Sequence, residues 1–323
     1  MPTINDWMQH RPWLDLDSPD IRGYVDALSE RQGFDLAAVL QRWHDEGVVV
    51  FEGVVDKGLI DALLNDIDYL RRHHRDFDLL VELLAVQGDI KSLSLEDLDS
   101  PGLKFNGLHT ISQAAARLSL TREVVVFLTH VFQGPPCALQ TLTFHRGSQQ
   151  PIHVDYPYVR RQEPLTHLAA SWVALEDIHP DAGPLGYYPG SHRTQVSGFF
   201  DWGGGSIVLE PDSVHAPLAF SEYLQARMQA AGIAPKVFCP RKGDVLVWHG
   251  NLSHEGMAIA DPRRTRQSYV THYTSLDAYP RVRMKPGAPA TGVIHSAHGG
   301  HVMEYAWHHD LAQLPSGAAL AGR

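Results

Sequence analysis

From about residue 137 onward, short runs of strand-forming residues alternate with turns that are rich in glycine and proline. These runs lie at 139–144, 152–158, 168–175, 186–188, 245–248 and 267–273. Short strands interrupted in this way are typical of an all-β sandwich or barrel. One helix is predicted within the series at 221–231, with Ser221 as its N-cap. This part of the chain therefore predicts a β core.

The residues before this stretch predict mainly helices. Asp35 can cap a helix whose apolar residues recur at helical spacing from Leu36 to Trp43, and Gly47 can end it. A buried strand is predicted at 48–51, a second helix across 60–70 and a third helix at 112–118. The apolar run at 124–128 fits either a strand or a buried helix. The small and polar residues at 314–323 are expected to fray.

Composition limits the kind of partner that the chain can have. Of its 323 residues, 44% are hydrophobic and 20% are charged, which is ordinary for a soluble globular protein. The net charge of −10 disfavours a nucleic-acid surface, and no 18-residue apolar run predicts a membrane span. No signal peptide is visible, and the two cysteines, Cys137 and Cys239, suit a reducing compartment, although one bridge between them stays open. We expect a cytoplasmic protein with a small-molecule partner.

The pattern His-x-Asp occurs four times, beginning at His74, His153, His179 and His308. Only His153 and Asp155 have strand-like neighbours on both sides, and alternation along a strand would point both side chains the same way. With one more histidine they would make the two-His-one-carboxylate triad that holds non-haem Fe(II). The other three occurrences lie at a charged helix end, in a proline-containing turn and near a small-residue tail. On this pattern alone, a pair of buried polar residues in a sheet is the alternative.

Further motifs follow His153 in a fixed order: SWVALED at 171–177, AGPL at 182–185, YPGSHR at 188–193, KGDVLVWH at 242–249, LSHEG at 252–256 and RQSYVTHY at 266–273. From about Gln140 to Tyr273, roughly half of the chain, this series resembles the phytanoyl-CoA dioxygenase family of Fe(II)/2-oxoglutarate oxygenases. The resemblance implies a mostly β fold with flanking helices around a double-stranded β-helix (jelly-roll, cupin-like) core. We expect one domain, with a mainly helical part at 1–135, the core at 136–280 and an extension at 281–323.

The resemblance also implies roles for individual residues. His153, Asp155 and His254 match the catalytic iron ligands of the family, and Arg266 matches the arginine that pairs with the distal carboxylate of 2-oxoglutarate. A guanidinium suits that role because it offers a planar, bidentate fork to a carboxylate. The other expected cosubstrate contacts are Trp172, Gln140 and Thr143, and the candidate substrate residues are Tyr156, Tyr158, Arg160 and His109.

The sequence departs from the family pattern in two places. The family often has a serine two residues after the distal histidine, where this chain has Gly256. The interval from His254 to Arg266 is one residue longer than the family's, so Arg264 is a rival for the carboxylate contact. His249 is likewise a rival for His254 as the third ligand.

The implied activity is that of a 2-oxoglutarate-dependent oxygenase, a hydroxylase that uses Fe(II), 2-oxoglutarate and O2, with ascorbate as the reductant in assays. It would hydroxylate an unactivated C–H bond of a small polar or carboxylated metabolite and release succinate and CO2. Related halogenases carry Ala or Gly at the acid position, so the presence of Asp155 favours hydroxylation. Two alternatives are a cupin-like metal enzyme without 2-oxoglutarate, against which Arg266 argues, and a non-catalytic jelly-roll binding protein.

Overall fold

The computed structural model describes residues 10–29, 32–83, 86–159, 164–193, 202, 216–280, 292–303 and 314–320. The helices, α1 to α7, are Ile21–Asp26, Leu36–Glu46, Lys57–Arg72, Gln113–Leu118, Arg122–Phe132, Pro217–Ala230 and Pro315–Leu320. The strands, β1 to β13, are Val48–Phe51, Leu80–Leu83, Val86–Asp89, Lys104–Asn106, Pro136–Phe144, Ala169–Ala174, Leu185–Tyr187, Lys236–Phe238, Val245–His249, His254–Gly256, Ser268–Ser275, Val293–Ala297 and Gly300–Met303.

The strands form two sheets. The larger sheet has the order β1-β9-β6-β11-β5-β4-β2-β3, and β13 joins it by pairing in parallel with β5 and antiparallel with β12. The smaller sheet has the order β10-β7-β8, and both of its pairs are antiparallel. Residues of both sheets line a cavity between them. This arrangement confirms the predicted mostly β fold with a jelly-roll core and flanking helices.

The two faces of the larger sheet pack against different partners because side chains alternate along each strand. On β11, Tyr269 and Tyr273 face the helices, where their hydroxyl groups donate to the carbonyl oxygens of Ala115 at 3.0 Å and Ser119 at 2.8 Å. Val270 and the other inward residues face the smaller sheet. Helices therefore cover one face of the sheet, and the cavity lies on the other.

The local signals of the N-terminal part are confirmed. Asp35 accepts a hydrogen bond from the Ala38 N–H at the start of α2, and Gly47 ends that helix with a φ of 71°. A side chain at Gly47 would also meet the ring of His192 at 2.5 Å, so glycine is required for conformation and for space. The ambiguous run at 124–128 lies in helix α5.

The N-terminal part contains the predicted strand at 48–51, which is β1, and three strands that the sequence did not predict, β2, β3 and β4. β1 pairs with β9 at one end of the larger sheet, and β4, β2 and β3 extend that sheet beyond β5. The described residues before β5 thus form both helices and strands. Both cysteines are free, Cys137 in a buried position and Cys239 in an exposed one. Among the described residues, no helix is long and apolar enough to cross a membrane.

The predicted strand at 152–158 is wrong. Only His153 forms a ladder pair, an isolated bridge to His254. The chain turns directly afterwards, because the carbonyl oxygen of Asp155 accepts from the N–H groups of Tyr158 and Val159, both at 2.9 Å. Local turn formation at Asp155 therefore overrides the strand propensity of the segment.

The predicted start of helix α6 is also wrong. The helix begins at Pro217, and Ser221 lies one turn inside it, where its hydroxyl donates to the Pro217 carbonyl oxygen at 3.0 Å. Proline is favoured in the first helical turn because its missing N–H is not needed there. Ser221 thus bonds back to the preceding turn instead of capping the helix.

A buried carboxylate holds residues 314–320, which do not fray as predicted but contain helix α7. Residues 321–323 of the predicted fraying segment lie outside the described residues. Asp66 on α3 is fully buried and accepts from the Ser112 hydroxyl at 2.6 Å, from the Ser316 N–H at 2.8 Å and from the Ser316 hydroxyl at 2.5 Å. These bonds join α3, the start of α4 and α7 at one point.

Replacing Asp66 by alanine is expected to lower the free energy of unfolding by about 1–3 kcal/mol, because the buried donors of Ser316 would lose their acceptor. Urea denaturation of the full chain measures the change. Asp68→Ala on the exposed face of the same helix is the matched control and should change the value by less than about 0.5 kcal/mol. Equal effects of the two substitutions would contradict the anchoring role of Asp66.

Candidate active site

Three side chains that can bind a metal converge in the cavity between the two sheets. His153 and His254 exchange two backbone hydrogen bonds of 2.9 Å, which hold the two residues side by side. The Asp155 N–H donates to the Gly250 carbonyl oxygen at 2.9 Å and so fixes the turn that carries the carboxylate. As a result, the ligand atoms of His153, Asp155 and His254 all lie within 4.8 Å of one another, and all three residues are buried.

Backbone carbonyl groups set the tautomer of both histidines. Nδ1 of His153 lies 2.9 Å from the Pro151 oxygen, and Nδ1 of His254 lies 2.9 Å from the Leu252 oxygen. Because a carbonyl oxygen only accepts, each Nδ1 donates, and the neutral ring carries its lone pair on Nε2. Burial, together with the neighbouring His254, lowers the pKa of His153 to about 3, which keeps this ring neutral near pH 7. Both rings therefore offer Nε2 as a ligand atom.

The carboxylate of Asp155 is held on both of its oxygens. Its Oδ2 accepts from Trp248 Nε1 at 2.8 Å, and its Oδ1 lies 3.5 Å from His272 Nε2 and 3.7 Å from His254 Nε2. Burial alone would raise the pKa of Asp155, but the nearby His254 and His272 outweigh burial and bring the pKa below its usual value. Asp155 is therefore ionised near neutral pH.

The ligand atoms of the triad are of the kinds that bind an iron ion. In the neutral tautomer with Nδ1 donating, His254 Nε2 is an acceptor that faces a second acceptor, Asp155 Oδ1, at 3.7 Å. Two acceptors at this distance repel each other unless a positive charge lies near them. Two imidazole nitrogens and one carboxylate oxygen are the donor set of facial non-haem Fe(II) sites, which leave positions open for other ligands.

Arg266 lines the same cavity and is a buried cation without an anionic partner. Its side chain is only 2% exposed, and its guanidinium carbon lies 5.3 Å from the ring centre of Phe144 and 5.7 Å from that of Trp172. Among the described residues, the guanidinium forms no ion pair, and its buried Nε has no hydrogen-bond partner. Burial lowers the pKa of Arg266 to about 10, so the group stays charged at neutral pH. A buried charge is costly unless it is paired, and the site therefore suits an anionic ligand.

The expected cosubstrate contacts lie in three different environments. Trp172 lines the cavity beside Arg266. Gln140 lies further along β5, where its Nε2 donates to Asn106 Oδ1 at 3.3 Å, and it is not part of the cavity lining. Thr143 pairs with Tyr269, on the face of the sheet that packs against the helices, so it points away from the cavity. Thr143 is therefore not proposed as a cosubstrate contact.

Of the described candidate substrate residues, Tyr158 contacts one of the triad histidines. Its ring centre is 5.6 Å from that of His153, and it is 45% exposed. Tyr156 and His109 are buried outside the cavity lining, where Tyr156 donates to the Thr166 oxygen and His109 Nδ1 lies 2.8 Å from the Thr141 hydroxyl. Arg160 lies outside the described residues. Tyr158 is also absent from the cavity lining, but its ring contacts that of His153.

The two rival residues have other partners. His249 Nε2 lies 3.2 Å from Asp15 Oδ2, and this ring is not part of the triad cluster. Arg264 is on the surface, where its Nε lies 3.4 Å from Asp261 Oδ2. Of the remaining His-x-Asp occurrences, His74 lies in a 3-10 turn, His179 pairs with its own Asp181 in a turn, and His308 lies outside the described residues.

Two residues that contact Asp155 were missed by the sequence reasoning, namely Trp248 and His272. Strand alternation gives a signal for the second, because His272 on β11 and Arg266, two residues before that strand, are separated by an even number of positions, and both line the cavity. No comparable sequence signal exists for Trp248, because its contact depends on the turn at Asp155.

A family model for phytanoyl-CoA dioxygenase (PhyH) matches residues 43–267, more than half of the chain, and this segment contains the triad and Arg266. The chain belongs to the phytanoyl-CoA dioxygenase (PhyH) family. Among curated proteins of the family, phytanoyl-CoA dioxygenase domain-containing protein 1 homolog of Caenorhabditis elegans is 22% identical over 175 residues, which are 52% of this chain and 56% of that protein. The chain spans about half the length of the curated relatives it matches.

Solved structures share the fold of this chain. The epimerase SnoN from nogalamycin biosynthesis, in complex with Fe3+, alpha ketoglutarate and nogalamycin RO, is 16% identical, with a TM-score of 0.55 over 82% of this chain and 98% of that one. EctD from S. alaskensis, with 2-oxoglutarate and 5-hydroxyectoine, is 18% identical, with a TM-score of 0.52 over 83% of both chains. At these identities, the similarity shows a common fold.

Replacing Trp248 by phenylalanine removes the hydrogen bond to Asp155 Oδ2 while a ring stays in place. Because a partner of this kind orients a ligand carboxylate, we expect the affinity for a divalent metal to fall about 10- to 100-fold. Anaerobic Fe(II) titration, or Mn(II) titration in air, measures the change. Trp13→Phe is the matched control, since it removes an indole hydrogen bond of 2.9 Å outside the cavity. Unchanged metal affinity in Trp248→Phe would contradict this role.

Proposed function

We propose that the chain is an Fe(II)/2-oxoglutarate-dependent oxygenase that hydroxylates an unactivated C–H bond of a small polar or carboxylated metabolite. The observation that carries this proposal is Arg266, a cation buried in the same cavity as the triad and without an ion pair to any described residue. A metal site alone would not need such a cation, whereas a dicarboxylate that binds the metal at one end needs it at the other. Family membership and the ligands of the solved structures with the same fold support it.

His153, Asp155 and His254 would hold the iron, and Arg266 would pair with the distal carboxylate of 2-oxoglutarate. When bound, iron and 2-oxoglutarate together supply the oxidation of the C–H bond by O2, with release of succinate and CO2. The Pro151 and Leu252 carbonyl groups would hold Nδ1 of each ligand histidine, which leaves Nε2 of each ring to bind the metal. The buried walls of the cavity would exclude bulk water while the substrate is held near the triad.

Separate observations support the type of reaction and the type of substrate in this proposal. Asp155 provides a third protein ligand, which favours hydroxylation over halogenation. Gln150 and Glu255 add polar groups to a largely apolar cavity, which supports a small polar substrate, and Tyr158 stands beside His153 to meet it. Arg266 argues against a cupin-like enzyme without 2-oxoglutarate, and the complete triad argues against a non-catalytic binding protein. The cytoplasmic location stays a prediction from composition.

The decisive experiment separates metal binding from cosubstrate binding. Succinate formation from 2-oxoglutarate, with Fe(II), ascorbate and O2, is expected for the wild type and is expected to be lost in Asp155→Ala and Arg266→Ala. Asp155→Ala should lose metal affinity because a ligand is removed. Arg266→Ala should keep metal affinity and bind 2-oxoglutarate about 30-fold or more weakly, because a buried charge pair loses one partner.

Arg264→Ala is the matched control for this experiment, because Arg264 is a surface arginine two residues away and pairs with Asp261. Its affinity for 2-oxoglutarate should equal that of the wild type. A wild type that binds no 2-oxoglutarate in the presence of metal, or an Arg266→Ala variant that binds it normally, would overturn the proposed function.

A further inference from the structure

Gly256 is in close contact with a loop that leads from β5 towards the triad. An added Cβ at residue 256 would overlap the Ser148 hydroxyl and would lie 2.8 Å from Gln149 N and 3.0 Å from Gln150 N. The Gly256 N–H donates to the Gln150 oxygen at 2.9 Å, so the backbone of the loop is bonded to β10 at this point. The space that a side chain at 256 would fill is therefore taken by the 148–150 loop.

Contacts that do not involve the Ser148 side chain hold this loop in place. The Gly147 oxygen accepts from the Gly102 N–H at 3.1 Å, and a Cβ at Gly147 would meet the Ala182 oxygen at 2.8 Å. Gln149 Oε1 accepts from the Ile259 N–H at 3.2 Å. The loop position thus does not depend on the hydroxyl of Ser148, and this hydroxyl can be removed without releasing the loop.

The Ser148 hydroxyl is available to a ligand in the cavity. Ser148 lines the cavity together with Arg266 and Gly256. Within the described part of the chain, its oxygen accepts a long bond of 3.4 Å from the Gln150 N–H, and no hydrogen bond donated by the hydroxyl is found. The Arg266 N–H donates to the His145 oxygen at 3.0 Å, so Arg266 is attached to the same loop three residues before Ser148. The two donors therefore enter the cavity from one edge.

A carboxylate that pairs with Arg266 has lone pairs left over, and inside a buried cavity these lone pairs need donors. The residues around the guanidinium are mainly apolar, with Phe144 and Trp172 packed on it. Of the other polar residues, Glu255 is an acceptor and its Oε1 is engaged by the Tyr188 hydroxyl at 2.7 Å. The Ser148 hydroxyl is a neutral donor at the correct edge.

We propose that the Ser148 hydroxyl donates a hydrogen bond to the distal carboxylate of 2-oxoglutarate beside Arg266, and that glycine at 256 provides the space for it. This inference rests on the proposed function and adds a binding residue from the β5 loop. The family often has a serine where this chain has Gly256. Here the hydroxyl would come instead from the 148–150 loop, which can pack against residue 256 only because that residue has no side chain.

The test compares two metal ligands that share a 2-oxo acid group and differ in the distal carboxylate. With Mn(II)-loaded full chain, 2-oxoglutarate and pyruvate are titrated calorimetrically into the wild type and Ser148→Ala. Because a hydrogen bond to a charged group is lost, we expect Ser148→Ala to bind 2-oxoglutarate about 10-fold more weakly. Pyruvate, which lacks the distal carboxylate, should bind both proteins equally, and the affinity for Mn(II) should be unchanged.

Gln149→Ala is the matched control, because it removes the bond to Ile259 and leaves the Ser148 hydroxyl present, while the backbone bonds from Gly102 to Gly147 and from Gly256 to Gln150 still hold the loop. It should bind 2-oxoglutarate as the wild type does. Normal 2-oxoglutarate binding by Ser148→Ala would overturn the proposal, as would an equal loss for pyruvate or for Gln149→Ala. In those cases, a loss of binding in Arg266→Ala would still support the proposed function, whereas absence of metal-dependent binding in the wild type would overturn both.

Discussion

The two backbone hydrogen bonds between His153 and His254 are the constraint on which the site depends. They tie the segment after β5 to the smaller sheet, and they place two ring nitrogens and one carboxylate within reach of a single ion. The next carbonyl groups along each segment then orient the rings, since each Nδ1 donates to an oxygen two residues before it. Backbone geometry therefore sets both the position and the tautomer of the ligands.

The larger sheet lies between the metal-binding triad and the helices. Its helix-facing side buries tyrosines whose hydroxyl groups reach the backbone around α4, and its other side carries Arg266, Trp172 and His272 into the cavity. On the cavity side, the buried Nε of Arg266 has no hydrogen-bond partner among the described residues. An anionic ligand bound in the cavity would therefore increase the free energy of unfolding.

The sequence predicted most of the features that depend on local signals or on the order of motifs. The cap at Asp35, the stop at Gly47 and the jelly-roll core are confirmed. The strand across 152–158 and the cap at Ser221 were wrong, because a turn at Asp155 and a proline at the start of α6 override local propensity. Trp248 could not be predicted, since its bond to Asp155 exists only after the chain has turned.

The guanidinium of Arg266, which has no ion pair in the described part of the chain, links the stability of the protein to the ligands around it. A buried cation without a partner lowers the free energy of unfolding, and an anion that reaches it only in the folded state restores that loss by mass action. The resistance of the chain to heat and to proteases should then follow the concentration of the dicarboxylate around it. Through Arg266, the lifetime of the protein would then depend on the concentration of a metabolite.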